Sequence, residues 1–197
     1  MLIACMMVLD RTGLAVFALL CAAFHETGHL TALKIFKIDV EEISVRAFGV
    51  SIKLRNDSRV SYRQEIVVSL AGAAANLIFA LAAFVLQNLG VLPYSMNVLW
   101  VFNLIIACFN LLPIGPLDGG RCLECILLTR MHYSGAQIIV NVVSFLIIIP
   151  LTIAGYFLVV STGYNFSLIM AAVYLAVLLL LKGRLIIGGS YPKPRLR

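Results

Sequence analysis

Long apolar runs dominate this chain and leave it few ways to fold. Hydrophobic residues make up 62% of its 197 positions and charged residues only 12%, with a mean hydropathy of +1.03. Soluble domains are roughly 45–50% apolar and about 25% charged, and a small soluble fold keeps much of its surface in water. The composition therefore excludes a soluble enzyme, a disordered chain and a secreted disulfide scaffold, and it predicts a multi-pass membrane protein.

Five apolar stretches are the candidates for membrane crossing. We predict an all-α multi-pass membrane protein with about five transmembrane helices, forming a single domain over residues 1–197. The spans are expected at about 13–36, 65–89, 98–113, 136–160 and 166–181. Residues 1–9 are also apolar, but this segment is too short to cross about 30 Å of hydrocarbon as a helix.

The basic residues are distributed unevenly across the predicted bilayer. With five spans, one side receives the start of the chain and two short loops, and it contains only Arg11. The other 14 of the 15 Lys and Arg residues lie in 37–64, in 114–135, in the tail after Leu181 and at the end of the first span. Because cytoplasmic loops carry the excess of Lys and Arg, we assign that second side to the cytoplasm.

Residues 37–64 differ from the rest of the chain because apolar and polar side chains alternate there. The alternation covers 43–47 and 50–55, and Gly49 between them can adopt a positive φ. We predict a small β-hairpin over about 42–55 on the cytoplasmic side. Two interpretations stay open: a structural cap on the spans, or a strand edge that pairs with an extended peptide.

His25, Glu26 and His29 form an H-E-x-x-H pattern inside the first predicted span. Helix positions i and i+4 lie one turn apart on the same face, so His25 and His29 can hold one metal ion. Glu26 lies about 100° around the helix, from where its carboxylate can act on a water molecule as a general base. Ionisable side chains inside a span cost on the order of 2–3 kcal/mol each, so packing alone does not explain these three.

A catalytic zinc usually has three protein ligands, which leaves one to be found. Asp118 is the candidate, because Pro113 and Pro116 end the third span just before it and Gly119 and Gly120 allow close backbone approach after it. The charge distribution also puts it on the cytoplasmic side, as it does the two histidines. From local sequence alone, an N-cap of the following amphipathic stretch explains Asp118 equally well.

The H-E-x-x-H pattern and the later segment 110–121, N-L-L-P-I-G-P-L-D-G-G-R, together resemble the site-2 protease family of intramembrane zinc metalloproteases. The resemblance is to its small bacterial members of the stage IV sporulation protein FB type. It implies one Zn²⁺ ion held by His25, His29 and Asp118, with Glu26 as the catalytic acid and base.

The same resemblance implies roles for two asparagines. Asn110 opens the second motif and is expected to contact substrate or the transition state. Asn76 and Gly72 match a second-span motif of the family in which Ala73 replaces a proline, and Asn76 is implied as an oxyanion donor. Read from the residues alone, the small side chains around Gly72 predict close packing against another helix.

What the resemblance implies about function is the hydrolysis of peptide bonds in membrane-embedded proteins, within or near the bilayer. This is regulated intramembrane proteolysis, in which cleavage activates a pro-protein or a transcription factor, and the family members named above act in sporulation. The expected partners are a membrane-protein substrate, membrane regulatory proteins and the lipid bilayer, without nucleic acid. The expected location is the bacterial cytoplasmic membrane, with the active site toward the cytoplasmic side.

Two other functions remain as alternatives: a metal-ion transporter, and a non-catalytic relative that binds membrane proteins. A transporter has no need of Glu26 beside its ligands, and the fourth and fifth spans contain no charged residue that would continue a permeation path. Cys122 and Cys125 form a single C-x-x-C without a second pair, which we interpret as small apolar residues on a helix face.

Overall fold

The computed structural model describes the backbone at residues 14–38, 40–46, 49–54, 60–163 and 167–187. Side chains are described for most of these residues, the strands and the helix ends near residues 14 and 187 excepted. The helices are α1 Leu14–Ile35, α2 Tyr62–Asn88, α3 Asn97–Asn110, α4 Asp118–Leu128, α5 Tyr133–Thr162 and α6 Ser167–Ile187. The strands are β1 Val40–Arg46 and β2 Gly49–Leu54, and a 3-10 turn at Tyr94–Met96 precedes α3.

Five of the helices lie where the apolar runs predict spans: α1, α2, α3, α5 and α6. Most ends agree within three residues, but α6 continues past the predicted end at 181 to Ile187. Among the described residues, α2 and α5 are long and apolar enough to cross a bilayer, with mean hydropathies of 2.2 and 2.5. Asn97–Asn110 and Leu168–Leu180 are shorter apolar helices. The fold is thus mainly helical, and the count of five spans stays a prediction.

The two strands form an antiparallel pair. Ile43 lies opposite Ile52 and Val45 opposite Val50, with a register shift between Val40 and Glu42. The hairpin predicted over about 42–55 falls on these strands, while its tip and its last residue lie outside the described residues. Its position relative to a membrane and its use as a peptide-binding edge remain predictions.

The chain divides into two compact units between Leu111 and Leu112. In the first unit, α1 packs against α2 through residues without large side chains. A Cβ on Gly28 would lie 2.5 Å from the Ala71 carbonyl oxygen and 2.9 Å from the Ala75 Cβ. The small side chains from Ala71 to Ala75 therefore make the close helix contact that their composition predicts.

Two further contacts hold this unit together. Ala32 and Leu33 of α1 form a buried apolar cluster with Val68 of α2. From α3, the buried Asn103 side chain donates a hydrogen bond to the Cys21 Sγ atom of α1 at 3.0 Å. The cluster and this hydrogen bond lie on either side of the H-E-x-x-H segment along α1, so the segment is fixed at both ends.

In the second unit, α5 packs against α6 and α4 packs against α5. A Cβ on Gly155 of α5 would lie 2.9 Å from the Ile169 backbone nitrogen of α6, so the two backbones are close at that point. Glu124 of α4 accepts a hydrogen bond from the Gln137 side chain of α5. These contacts make α5 the central helix of the unit.

We predict that Gly155→Ala lowers the stability of the chain by about 1–3 kcal/mol, because the added methyl group must push α6 away from α5. Gly135→Ala in the same helix is the matched control, since its Cβ would meet only the Met131 Sδ atom at 3.6 Å. Thermal unfolding of both variants in detergent measures the difference. An unfolding midpoint for Gly155→Ala at or above that of the unchanged protein would contradict the close α5–α6 contact.

Candidate metal centre

His25 and His29 lie one turn apart on the buried face of α1. They are 5% and 9% exposed, and their Nε2 atoms are 3.1 Å apart. Neighbouring nitrogen ligands of a tetrahedral zinc ion, bound at about 2.0–2.1 Å, lie about 3.3 Å from each other. The two imidazole rings therefore converge on one point through the atoms that bind metal.

A backbone carbonyl group orients His29. Its Nδ1 atom lies 2.7 Å from the carbonyl oxygen of Val68 in α2. A carbonyl oxygen can only accept a hydrogen bond, so Nδ1 carries a proton, and Nε2 presents a lone pair when the ring is neutral. Metal-binding histidines in proteins are usually held in this way, with the second ring nitrogen donating to a carbonyl or carboxylate group.

Gly72 leaves open the space beside the two rings. A Cβ at this position would lie 2.7 Å from both His25 Nε2 and His29 Cε1, and it would also meet His29 Nε2. Gly28 acts in the same way from the α1 side, because any side chain there would strike the α2 backbone. The two glycines let α1 cross α2 closely enough for the Val68 carbonyl group to reach His29.

These observations test whether a metal ion fits. Two buried ring nitrogens face each other at 3.1 Å, and a Cβ on Gly72 would fill the space beside them. This separation fits a hydrogen bond between the rings when one Nε2 atom carries a proton, and it fits a shared cation when neither does. A zinc ion is therefore compatible with the donors of this part of the chain.

Glu26 and Asp118, the two predicted carboxylates of the site, are both half-buried. Glu26 follows His25 on α1. Asp118 is the first residue of α4, while Leu117 occupies the N-cap position and no side chain makes a cap hydrogen bond there. The N-cap interpretation of Asp118 is therefore wrong, because the residue lies one position inside the helix. The two histidines belong to the first unit and Asp118 to the second, and its role as third ligand stays a prediction.

The two predicted asparagines have different surroundings. Asn76 is 0% exposed on α2, one turn beyond Gly72, and within the described part of the chain neither polar atom of its side chain has a hydrogen-bond partner. Asn110 is the last residue of α3, and its Nδ2 atom donates to the Ile106 carbonyl oxygen of the same helix at 3.0 Å. Asn76 therefore has its full hydrogen-bonding capacity available, whereas one donor of Asn110 is already used.

Cys122 and Cys125 lie buried on α4. Burial raises the pKa of the Cys122 thiol, which reduces the thiolate form that binds metals and reacts. The interpretation of this C-x-x-C as packing residues is consistent with both observations.

Sequence reasoning missed the Val68 carbonyl group and the steric role of Gly28. Every residue has a backbone carbonyl group, so the residue type at position 68 could not indicate the contact with His29. The second had a signal, because a glycine in the middle of a helix costs about 0.5–1 kcal/mol relative to alanine and needs a reason such as close packing.

The chain is similar to known proteases in sequence and in fold. The sequence profile of Peptidase family M50 matches residues 87–151. Stage IV sporulation protein FB of Bacillus subtilis is 27% identical over 120 residues, which cover 60% of this chain and 42% of that protein. A zinc metalloprotease of Methanocaldococcus jannaschii is 27% identical over 116 residues, 55% of this chain and 32% of that protein. The chain is therefore similar to peptidase family M50 over about a third of its length.

The chain also shares the fold of a solved structure. The site-2 protease from Methanocaldococcus jannaschii superimposes with a TM-score of 0.66 at 19% identity, covering 88% of this chain and 80% of that chain. The matched segments span less than half the length of both sequence relatives. The comparisons therefore show the fold and a similarity to family M50, and the activities of the longer relatives are the basis for a proposal.

We predict that Gly72→Ala weakens zinc binding by tenfold or more, because the methyl group occupies the space beside both histidine rings. Competition between the purified protein and a zinc chelator measures the affinity. Gly135→Ala makes the same chemical change on a helix face with room for it and should bind zinc as the unchanged protein does. Equal affinity in Gly72→Ala would show that the two rings do not hold the metal.

Proposed function

We propose that this chain is an intramembrane zinc metalloprotease that hydrolyses peptide bonds of membrane-embedded proteins within or near the bilayer. The observation that carries the proposal is the buried His25 and His29 pair, with Nε2 atoms 3.1 Å apart and Gly72 beside them. Two ionisable rings on an apolar helix are costly unless they bind something, and family M50 supplies the chemistry that uses them.

In this proposal one Zn²⁺ ion is held by His25, His29 and Asp118. The ligand set is that of a catalytic rather than a structural zinc, since three protein ligands leave a fourth position open. When bound, zinc polarises a carbonyl group and lowers the pKa of water to about 7. Val68 keeps the His29 ring in the protonation state that a ligand needs, since its carbonyl oxygen lies 2.7 Å from His29 Nδ1.

Glu26 is the proton carrier of the reaction. Its carboxylate takes a proton from the attacking water and delivers it to the amine nitrogen that leaves when the peptide bond breaks. Because Glu26 and His25 are neighbours on α1, the same helix fixes the distance between the base and the histidine ligands. A carboxamide at this position keeps the shape of the side chain and removes the base.

Asn76 and Asn110 contact the substrate in this proposal. The Asn76 carboxamide is fully buried one turn from Gly72 and has no hydrogen-bond partner among the residues that the structure describes. In this proposal its Nδ2 group donates to the oxygen of the scissile carbonyl as negative charge develops there. Asn110 uses its remaining donor and acceptor on the substrate backbone.

The proposed location is the cytoplasmic membrane, with α1, α2, α3, α5 and α6 as five spans and the active site toward the cytoplasm. The distribution of 14 of 15 basic residues supports this orientation. The pair of β1 and β2 provides an edge that can bind an unwound substrate segment as an added strand. The class of reaction in this proposal is the activation of a pro-protein or a transcription factor, which the family resemblance implies.

We expect Glu26→Gln to bind zinc normally and to abolish cleavage of a membrane-protein substrate, because only the base is removed. Asp118→Asn should weaken zinc binding as well, since a neutral amide is a poorer zinc ligand than a carboxylate. Zinc content and cleavage are measured on the purified protein, with a chelator-treated sample and its zinc-restored form as controls.

Undiminished cleavage by Glu26→Gln would refute the proposed mechanism. Metal flux in liposomes that continues in Glu26→Gln would instead identify a transporter. Zinc binding without flux or cleavage by the unchanged protein, tested with several membrane substrates, would identify a non-catalytic relative.

We predict that Asn76→Ala lowers the cleavage rate by about 10²-fold or more, the usual effect of losing an oxyanion donor. Its unfolding temperature should stay the same or rise, because an unpartnered buried amide costs folding free energy. Ser69→Ala is the matched control: Ser69 is 2% exposed on the same face of α2 and its Oγ atom also has no hydrogen-bond partner among the described residues. A rate loss of equal size in both variants would assign the effect to packing rather than to an oxyanion contact.

A further inference from the structure

The loop that precedes α4 has few backbone hydrogen-bond donors. Pro113 and Pro116 have no N–H group, which leaves three residues between Pro113 and Asp118 with one each. The Ile114 N–H donates to the Leu112 carbonyl oxygen at 2.7 Å, and the Leu117 N–H donates to the Ile114 carbonyl oxygen at 2.8 Å. Both bonds are local to the loop, so neither anchors it to another helix.

The Gly115 N–H provides that anchor. It donates to the Oγ atom of Ser144 in α5 at 2.9 Å. Ser144 is 0% exposed, and its hydroxyl group donates in turn to the Val140 carbonyl oxygen one turn earlier at 2.6 Å. Because a hydroxyl group has a single proton, the bond to Val140 directs its lone pairs toward the loop.

The anchored loop in turn supports the first turn of α4. A Cβ on Gly120 would collide with the Ile114 carbonyl group and lie 2.7 Å from the Gly115 nitrogen, so the helix backbone rests directly on the loop. The Ile114 side chain is completely buried. Asp118 lies two residues before Gly120 in the same turn, so a shift of the loop moves its carboxylate.

We propose that Ser144 is a positioning residue for Asp118. Its hydroxyl group fixes the Gly115 N–H, the fixed loop supports the first turn of α4, and that turn sets the position of the Asp118 carboxylate. The inference rests on the proposed function, in which Asp118 is a zinc ligand. A buried serine in the middle of an apolar helix lowers the stability of the fold unless its hydroxyl group has a partner. The bond from Ser144 to the Val140 carbonyl group satisfies the hydroxyl proton, but only the bond from Gly115 connects Ser144 to the loop.

A matched control separates this role from a local effect on α5. Thr152 lies on the same helix, and its Oγ1 atom donates to the Ile148 carbonyl oxygen at 2.8 Å, which copies the bond from Ser144 to Val140. Removing the Thr152 hydroxyl group therefore removes the same type of helix bond without affecting the loop. Any effect specific to Ser144 comes from its bond to Gly115.

The experiment is a double-mutant cycle read by zinc affinity, measured by chelator competition on the purified full chain. Ser144→Ala should weaken zinc binding by about 10- to 100-fold, the range for loss of a residue that orients a ligand. Thr152→Ala should bind zinc as the unchanged protein does. Asp118→Ala should weaken binding more, and adding Ser144→Ala to it should cause no further loss, because the residue acts only through Asp118.

Three results would overturn the inference. Unchanged affinity in Ser144→Ala, a loss in Thr152→Ala as large as in Ser144→Ala, or additive losses in the double variant would each exclude positioning through Asp118. If Ser144→Ala does not fold, Ser144→Cys takes its place, because the thiol fills the space but accepts hydrogen bonds weakly. Ser144→Cys should also bind zinc more weakly, and wild-type affinity in that variant overturns the inference.

The cycle also distinguishes failure of this inference from failure of the proposed function. If Asp118→Ala binds zinc as tightly as the unchanged protein, the ligand set itself is wrong and the role of Ser144 falls with it. If Asp118→Ala loses affinity and Ser144→Ala does not, the ligand set survives and only the positioning role is refuted.

Discussion

The close crossing of α1 over α2 is the contact on which the candidate metal centre depends. Glycines on both helices, Gly28 and Gly72, remove the side chains that would separate the two backbones. At this separation the Val68 carbonyl oxygen lies 2.7 Å from His29 Nδ1, and His29 Nε2 faces His25. In a membrane, where apolar side chains gain little by leaving lipid for protein, such small-residue contacts supply much of the packing between helices. The fold and the metal-binding chemistry therefore share one contact, and a single methyl group on either glycine would disturb both.

Polar side chains buried on α2 are a second unusual feature of this helix. Ser69 and Asn76 lie on the same face as Gly72, and within the described residues their side-chain polar atoms lack hydrogen-bond partners. Each such group costs folding free energy of about 1–3 kcal/mol, which apolar residues of similar size would recover. Of these two residues, the proposed function uses Asn76 alone, as a hydrogen-bond donor to the substrate, and Ser69 serves as its comparison.

The positions of the helices and the pairing of the two histidines could be predicted from the sequence. Apolar runs give the helices because backbone groups in a bilayer must be satisfied within one segment, and the i, i+4 spacing of His25 and His29 puts both on one face. Alternating apolar and polar residues predict strands because successive side chains of a strand point to opposite faces, and β1 and β2 lie in that segment. The ends were less accurate: α6 continues past the predicted end at 181 to Ile187, because the end of an apolar run does not by itself end a helix. Local sequence also allowed an N-cap role for Asp118, which the backbone around Leu117 excludes.

What the sequence could not reveal is the set of contacts that orient the predicted ligands. His29 is oriented by a main-chain carbonyl group, and the loop before Asp118 is anchored through a main-chain N–H group, so one partner in each contact is independent of residue type. The other partner in the loop contact is Ser144, which lies 29 residues later in an apolar helix. A serine at such a position does not by itself indicate a contact with a distant loop. Metal affinity is nevertheless sensitive to such partners. A mobile side chain loses conformational entropy when it binds the metal, whereas a side chain already held in the binding orientation lost that entropy on folding. The proposed metal ligands are therefore recognisable from their chemistry, whereas the residues proposed to position them become recognisable only when the helices are packed.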